Sequence, residues 1–276
     1  MEVYMSSKND RTTRRLVISA MLIAIATVLS LVKIVDLPYG GSVSLGSMLP
    51  IVIIAYRYGT PWGLLCGLIH GLIQLALGAN TLSYVTGAAS VIAVIMLDYL
   101  VAFGVIGFAG LTRKGSANQS AAFLSGSLIA CFLRYVCHVI SGCTVWAGLS
   151  IPTGAAFQYS LIYNATYMLP ETLVLLIIAY YLSTTLDFGS EQLKMIQKQD
   201  TAPVAKTLNM AAGLVLAGGL VFDIAAVFRH LQNAETGEFD ITGISQVSWT
   251  LVLIVTLICA LVAVALFLVN KKVVRK

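Results

Sequence analysis

The chain has 276 residues, of which 58% are hydrophobic and only 11% are charged, with a net charge of +5 and a mean hydropathy of +0.90. A soluble domain carries about 25% charged residues, so this composition excludes a soluble globular protein and indicates an integral membrane protein. The apolar segments recur along the whole length, which excludes a soluble domain held by a single anchor. The positive charge comes from lysines and arginines in loops, and we do not interpret it as a sign of nucleic-acid binding.

The apolar segments predict an all-α protein, because a bilayer core requires about 20 apolar residues per helix. We expect eight helices, at residues 16–35, 45–58, 61–78, 87–111, 121–145, 158–186, 207–228 and 247–269. The second segment is short for a full crossing, and we expect it to be tilted or irregular and buried in protein. The polar linker 187–206 separates a predicted six-helix domain, 1–186, from a two-helix extension, 207–276.

The distribution of basic residues predicts the orientation of these helices. With the N-terminus in the cytoplasm, nearly all lysines and arginines outside the helices fall on the cytoplasmic side. The outer segments then hold only Lys33 and Arg229. The sequence therefore predicts that both termini and the linker 187–206 are cytoplasmic.

The fifth and sixth predicted helices carry polar side chains in apolar surroundings. His138, Gly142 and Trp146 are spaced i, i+4, i+8 and share one helical face, where Gly142 is expected to leave a gap between the two rings. A helical period also relates four polar residues of the sixth helix: Ser160, Asn164, Tyr167 and Glu171. Polar groups inside a membrane usually face a cavity or a partner. A cavity lined by Trp, Tyr, His, Asn and a carboxylate suits a flat, polar, cationic ligand.

Four sequence segments, taken in order, carry a family resemblance. They are YGGSVSLGSMLPI at 39–51, LDYLVAF at 97–103, RYVCHVISG at 134–142 and YSLIYNATYMLPE at 159–171. Together they resemble the thiamine-specific S component of energy-coupling factor transporters. The resemblance implies a multi-pass, bacterial plasma-membrane protein that binds thiamine through six helices. It also implies that the chain hydrolyses nothing itself and joins a transmembrane coupling subunit and two cytoplasmic ATPases.

The resemblance also assigns substrate contacts by position. The assigned residues are Tyr84, Asp98, Tyr99, His138, Gly142, Trp146, Tyr159 and Asn164. In this interpretation Asp98 neutralises the thiazolium charge of thiamine, a ring such as Trp146 stacks on it, and Asn164 pairs with a ring edge. Some members carry a tryptophan in the first outer loop where this chain has Gly41.

The first helix contains small residues four positions apart, Ala20 and Ala24. Such residues let another helix approach closely in lipid, where packing drives association. The resemblance implies that this pattern faces the coupling subunit. Packing inside the six-helix bundle is the alternative.

Other interpretations of the polar residues remain open at this stage. Asp98 could form a structural ion pair with Arg134, or it could face a ligand while Glu171 or a carbonyl group satisfies Arg134. His138 could make a helix–helix hydrogen bond, Trp146 could be an interfacial anchor, and His70 and Gln74 are expected to be packing groups.

Two other functions also remain open. One is an S component for another flat vitamin or for the thiamine precursor hydroxymethylpyrimidine. The other is a membrane-embedded hydrolase that uses His138 with Asp98 or Glu171 as acid and base. The sequence contains no HExxH-type zinc motif and no P-loop, so we predict no metal, cofactor or catalytic residue and expect ATP hydrolysis to come from partner chains.

Overall fold

The computed structural model of the chain describes residues 2–37, 41–85, 87–114, 118–148, 153–190, 193–196, 203–231 and 241–274. These residues are almost entirely helical and divide into two compact units, Met1–Met195 and Ile196–Lys276. Within the described ranges, seven helices are long and apolar enough to cross a membrane. The predicted all-α membrane fold is therefore confirmed.

The helices of the first unit overlap the predicted segments, although α1 begins at Glu2 and not at residue 16. Their bounds are α1 (Glu2–Leu31), α2 (Leu49–Tyr58), α3 (Thr60–Leu77), α4 (Ala88–Lys114), α5 (Gln119–Gly148) and α6 (Thr153–Thr185). A short 3-10 helix, Ala79–Tyr84, precedes α4. The middle of α4 is a π-helical segment, Val94–Val101. After α6, two strands of two residues each pair antiparallel, and they are Leu186–Asp187 and Lys194–Met195.

The prediction that the first helix continues to residue 35 is wrong, because α1 ends at Leu31. Strand β1 (Lys33–Asp36) follows it and pairs antiparallel with β2 (Ser42–Ser44). The β-branched Ile34 and Val35 favour an extended backbone, and the pairing supplies hydrogen bonds that an unpaired segment would lack in a membrane. We call the described residues of 33–48 the first hairpin.

The short helix α2 lies inside the first unit. Every residue from Leu49 to Arg57 is buried, which confirms the expectation that this apolar segment is surrounded by protein. Aromatic rings pack around its C-terminal end: Tyr56 meets Phe123 edge-on at 5.4 Å, and Phe123 stacks on Phe188 at 5.0 Å. The helix forms the centre of the hydrophobic core.

Glycines bring α3 and α4 into backbone contact. On α3 they recur at every fourth position: Gly63, Gly67 and Gly71. A Cβ added at Gly71 would lie 2.5 Å from the carbonyl oxygen of Tyr99, and one at Gly67 would overlap the carbonyl oxygen of Phe103. Small residues permit this approach in lipid. The contact fixes the π-helical segment, which carries Asp98 and Tyr99, against α3.

The second unit consists of α7 (Pro203–Phe228), a short 3-10 helix (Ile241–Gln246) and α8 (Trp249–Val274). Its two long helices are joined by polar contacts. Thr256 Oγ1 donates a hydrogen bond to Asp223 Oδ2 at 2.6 Å, and Asn270 donates to Asn209. Asp223 therefore serves a helix–helix contact within this unit.

Candidate ligand-binding site

The first unit contains a partly open cavity of about 480 Å³. Side chains of the first hairpin and of α1, α3, α4, α5 and α6 line it. Cavities that bind small molecules typically have about 300–1,000 Å³, so this one can hold a ligand of the size of a vitamin.

Five of the predicted contact residues lie on the wall of this cavity: Asp98, Tyr99, His138, Gly142 and Asn164. Tyr159, which is partly buried on α6, is not among the described lining residues. Tyr84 lies in the 3-10 helix and Trp146 in α5, but the side chains of both fall outside the described part of the structure. Their ligand contacts therefore stay predictions.

Asp98 is held from α5 by two side chains. His138 Nδ1 lies 2.8 Å from Asp98 Oδ1, and Ser141 Oγ donates a hydrogen bond to Asp98 Oδ2 at 2.8 Å. The side chain of Asp98 is nevertheless 26% exposed, whereas that of His138 is only 9% exposed. The carboxylate is therefore oriented by protein on one side and accessible from the cavity on the other. Its π-helical backbone is of a kind frequently found at functional sites.

The cavity holds a second carboxylate, and that one is fully buried. Glu171 Oε2 lies 3.5 Å from Arg134 Nη1. The guanidinium group also lies over the ring of Phe103, 4.5 Å from its centroid. Arg134 thus pairs with Glu171 in this structure, and Asp98 pairs with His138. Glu171, and not Asp98, is therefore the carboxylate that pairs with Arg134.

The expected gap at Gly142 is absent, and that prediction is wrong. A Cβ added at Gly142 would overlap Ser160 Oγ, because α5 and α6 approach closely at this point. Ser160 Oγ donates across the contact to the carbonyl oxygen of Val139 at 2.8 Å. Gly142 therefore permits a helix–helix contact, in addition to bordering the cavity.

Asn164 is engaged at both ends of its amide group. Its Nδ2 donates to the carbonyl oxygens of Ser160 at 2.8 Å and His138 at 3.2 Å. Its Oδ1 accepts a hydrogen bond from the hydroxyl of Tyr167. In this structure Asn164 thus joins α5 to α6, and pairing with a ligand ring would require some of these bonds to exchange.

Two tyrosines that were not predicted as contacts also line the cavity, Tyr163 and Tyr167. Their ring centroids are 5.8 Å apart, and Tyr167 meets the ring of His138 edge-on at 6.0 Å. The sequence does contain a signal for Tyr163. Tyr163, Tyr167 and Glu171 are spaced i, i+4, i+8, although the predicted polar face of the sixth helix includes only the last two. A Cβ added at Gly41 would lie 2.8 Å from both tyrosines, so these rings fill the space beside that loop position.

Gln74 and His70, both expected to be packing groups, differ in the structure. Gln74 borders the cavity and donates from Nε2 to Ser30 Oγ at 2.8 Å. His70 is completely buried, lies 3.5 Å from Thr27 Oγ1 and meets the ring of Phe103 edge-on. His70 thus packs inside the first unit, whereas Gln74 contacts α1 and also borders the cavity.

Ala20 and Ala24 lie on an exposed face of α1, whereas Ala26 is completely buried. Apolar side chains surround the two alanines on that face: Val17, Met21 and Val28, each more than half exposed. The alanines are therefore outside the core of the first unit. Their contact with a coupling subunit stays a prediction.

Among the described residues, no group of three or more His, Cys, Asp or Glu side chains is placed to hold a metal ion. The fold and the cavity together define a multi-pass α-helical membrane protein with a cavity that polar side chains line. Residues 16–188 match the family described as thiamine transporter protein (Thia_YuaJ). Because this match spans well over half of the chain, the chain belongs to the thiamine transporter protein family, and it is a multi-pass protein of the plasma membrane.

Two bacterial relatives agree with this membership. The thiamine transporter ThiT of Bacillus subtilis (strain 168) is 37% identical over 183 residues, which cover 62% of this chain and 91% of that protein. A solved structure of ThiT from Listeria monocytogenes has 28% sequence identity and a TM-score of 0.50, covering 62% of this chain and 93% of that chain. The family match ends at residue 188, before α7 and α8.

Proposed function

We propose that this chain is the substrate-binding S component of an energy-coupling factor transporter and that it binds thiamine with high affinity in the cavity of the first unit. One observation carries the proposal: a chain of the thiamine transporter family has a partly exposed carboxylate, Asp98, on the wall of a cavity of about 480 Å³.

The chemistry of the cavity supports a flat cationic ligand. Thiamine has a permanently positive thiazolium ring and an aminopyrimidine ring. In a site from which water is excluded, Asp98 neutralises the positive charge, and any hydrogen bond that it accepts from the ligand is charge-assisted. Cation–π contacts with tyrosine or tryptophan rings contribute about 0.5–2 kcal/mol each. Tyr99, Tyr163 and Tyr167 supply such rings.

The proposal assigns the energy of transport to other chains. The sequence contains no P-loop motif, so ATP hydrolysis belongs to two partner ATPases, and this chain binds its substrate without transforming it. A transmembrane coupling subunit connects the chain to the ATPases. The exposed alanines of α1, Ala20 and Ala24, support a close helix–helix contact with that subunit.

We further propose that three segments of the chain have different roles and that both termini lie in the cytoplasm. Residues 1–186 bind thiamine, 187–206 form a cytoplasmic linker, and 207–276 form a membrane extension. The concentration of lysines and arginines on one side supports this orientation.

A C-terminal tag in right-side-out vesicles should react with an impermeant reagent only after permeabilisation. Equal labelling of sealed and opened vesicles would contradict it.

Titration of the purified protein tests the proposed function directly. Thiamine should change the intrinsic tryptophan fluorescence in a saturable way, with one site per chain and tighter binding than hydroxymethylpyrimidine. Tighter binding of the uncharged pyrimidine would instead favour a precursor transporter. Turnover of thiamine by the purified chain would favour an enzyme.

A further inference from the structure

One contact between the first hairpin and α6 is formed at a buried carboxylate, Glu171. Ser44 Oγ donates a hydrogen bond to Glu171 Oε1 at 2.7 Å, and Ser47 Oγ lies 3.4 Å from the same oxygen. The two hydroxyl oxygens are 2.6 Å apart. All three residues are at most 4% exposed, so the contact is closed to bulk water.

The other oxygen of this carboxylate faces a different helix. Glu171 Oε2 pairs with Arg134 Nη1 on α5, so one acid connects α5, α6 and the first hairpin. A buried carboxylate is costly unless it is paired and hydrogen-bonded. The serine hydroxyls and the guanidinium group meet this requirement together. Hydrogen bonds to an ionised acceptor are also about twice as strong as those between neutral groups.

A second contact joins the hairpin to α6 two helical turns away. The backbone N–H of Gly41 donates to the hydroxyl of Tyr163 at 3.1 Å, and Gly41 is buried against Tyr163 and Tyr167. Tyr163, Tyr167 and Glu171 therefore form one stripe of α6 beneath the hairpin.

The hairpin depends on these contacts because its own strands are short. β1 has four residues and β2 has three. A two-stranded hairpin is marginally stable at best without packing against another element. Gly41, Ser42, Ser44 and Ser47 of this hairpin line the cavity, so its position decides whether that wall is closed.

We propose that Glu171 is a positioning residue of the binding site, which holds the first hairpin against α6 through Ser44 and Ser47 and so keeps a wall of the cavity closed over the ligand. The inference rests on the proposed function for the identity of the ligand, thiamine. Release of the wall opens a way out for a bound ligand. Loss of the contacts made by Glu171 should therefore mainly raise the dissociation rate of the ligand. Most affinity differences between related complexes arise in this rate.

Hydrogen exchange of the ligand-free protein tests, without thiamine, whether Glu171 holds the first hairpin against α6. The variant Ser44→Ala/Ser47→Ala removes both hydroxyls, and Ser42→Ala is the matched control. Ser42 lies on the same face of β2 and also lines the cavity, but it makes no described hydrogen bond to Glu171. Backbone amides of 41–47 should exchange at least about tenfold faster in the double variant and at the wild-type rate in the control. Unchanged exchange in the double variant would overturn the proposal.

Stopped-flow fluorescence with thiamine tests the consequence for binding. The double variant should release thiamine about tenfold faster, while its association rate changes by less than about twofold. Glu171→Gln keeps an acceptor oxygen for Ser44 and should release thiamine more slowly than Glu171→Leu, which keeps none. An unchanged dissociation rate in the double serine variant would contradict the positioning role even if the Glu171 variants fail to fold. A wild-type protein that does not bind thiamine would overturn the proposed function instead. The exchange experiment would still show whether Glu171 holds the first hairpin.

Discussion

His138 Nδ1 lies 2.8 Å from Asp98 Oδ1, and this contact joins α5 to the π-helical segment of α4 at the cavity wall. Ser141 holds the second carboxylate oxygen from the same side. The orientation of the carboxylate is therefore set before a ligand arrives. A group that is ordered in advance loses little conformational freedom on binding, and this favours high affinity.

Replacing Asp98 by Asn should separate charge recognition from shape recognition. The amide keeps the size of the side chain and an acceptor for Ser141 but removes the negative charge. Thiamine affinity should fall at least about tenfold, equivalent to about 1.4 kcal/mol, and affinity for uncharged hydroxymethylpyrimidine should fall less. Calorimetry with both ligands measures the difference, and Asp223→Asn in the second unit is the control. Equal losses for the two ligands would make Asp98 a structural residue.

Trp146 is predicted to stack on the ligand. Trp146→Ala should therefore remove most of the fluorescence change caused by thiamine and weaken binding at least about tenfold, or about 1.4 kcal/mol. Trp249→Ala, at an exposed position of α8, is the control and should leave the affinity unchanged. If Trp146→Ala folds and binds thiamine as tightly as the wild type, Trp146 is an interfacial anchor.

Gly142→Ala should destabilise the contact between α5 and α6, because the added methyl group overlaps Ser160 Oγ. Overpacking of this kind costs about 1–3 kcal/mol. Thermal unfolding in detergent should show a lower midpoint, and thiamine should bind more weakly because Asn164 is displaced. In the double variant Gly142→Ala/Ser160→Ala the overlapping oxygen is absent, so the midpoint should recover in part. A double variant less stable than Gly142→Ala would contradict the steric explanation.

Ala20→Trp and Ala24→Trp should separate binding from transport. Both alanines are exposed, so the isolated protein should bind thiamine almost normally. Uptake by cells that co-express the coupling subunit and ATPases should be lost, because a bulky ring holds the two helices apart. Leu72→Trp, at an exposed position of α3, is the control and should support uptake. Normal uptake in either alanine variant would exclude this face as the interface.

The sequence predicted the helices well because their apolar length alone identifies them. It failed at residues 32–35, which are as apolar as the helix before them. Their extended conformation depends on pairing with Ser42–Ser44, a non-local contact that hydropathy does not contain. The π-helical turn around Asp98 was also invisible, because it depends on backbone geometry and on the glycines of α3.

The cavity wall could be predicted only in part, for a related reason. Helical spacing shows which residues share a face, and it correctly grouped His138 with Gly142 on the side of the cavity. It does not show which neighbouring helix occupies the space beside Gly142. Ser160 of α6 fills that space, and Tyr163 lines the cavity although it lies outside the predicted polar face.

The length of α2 limits how much of the membrane this helix can cross. Its 10 residues span about 15 Å, half of a hydrocarbon layer about 30 Å thick. The first hairpin leads directly into α2, and its Ser44 pairs with Lys33 just after the end of α1. A non-helical backbone at membrane depth is tolerated only where protein surrounds it. A change that exposes this hairpin to lipid should therefore destabilise the fold as well as the cavity wall.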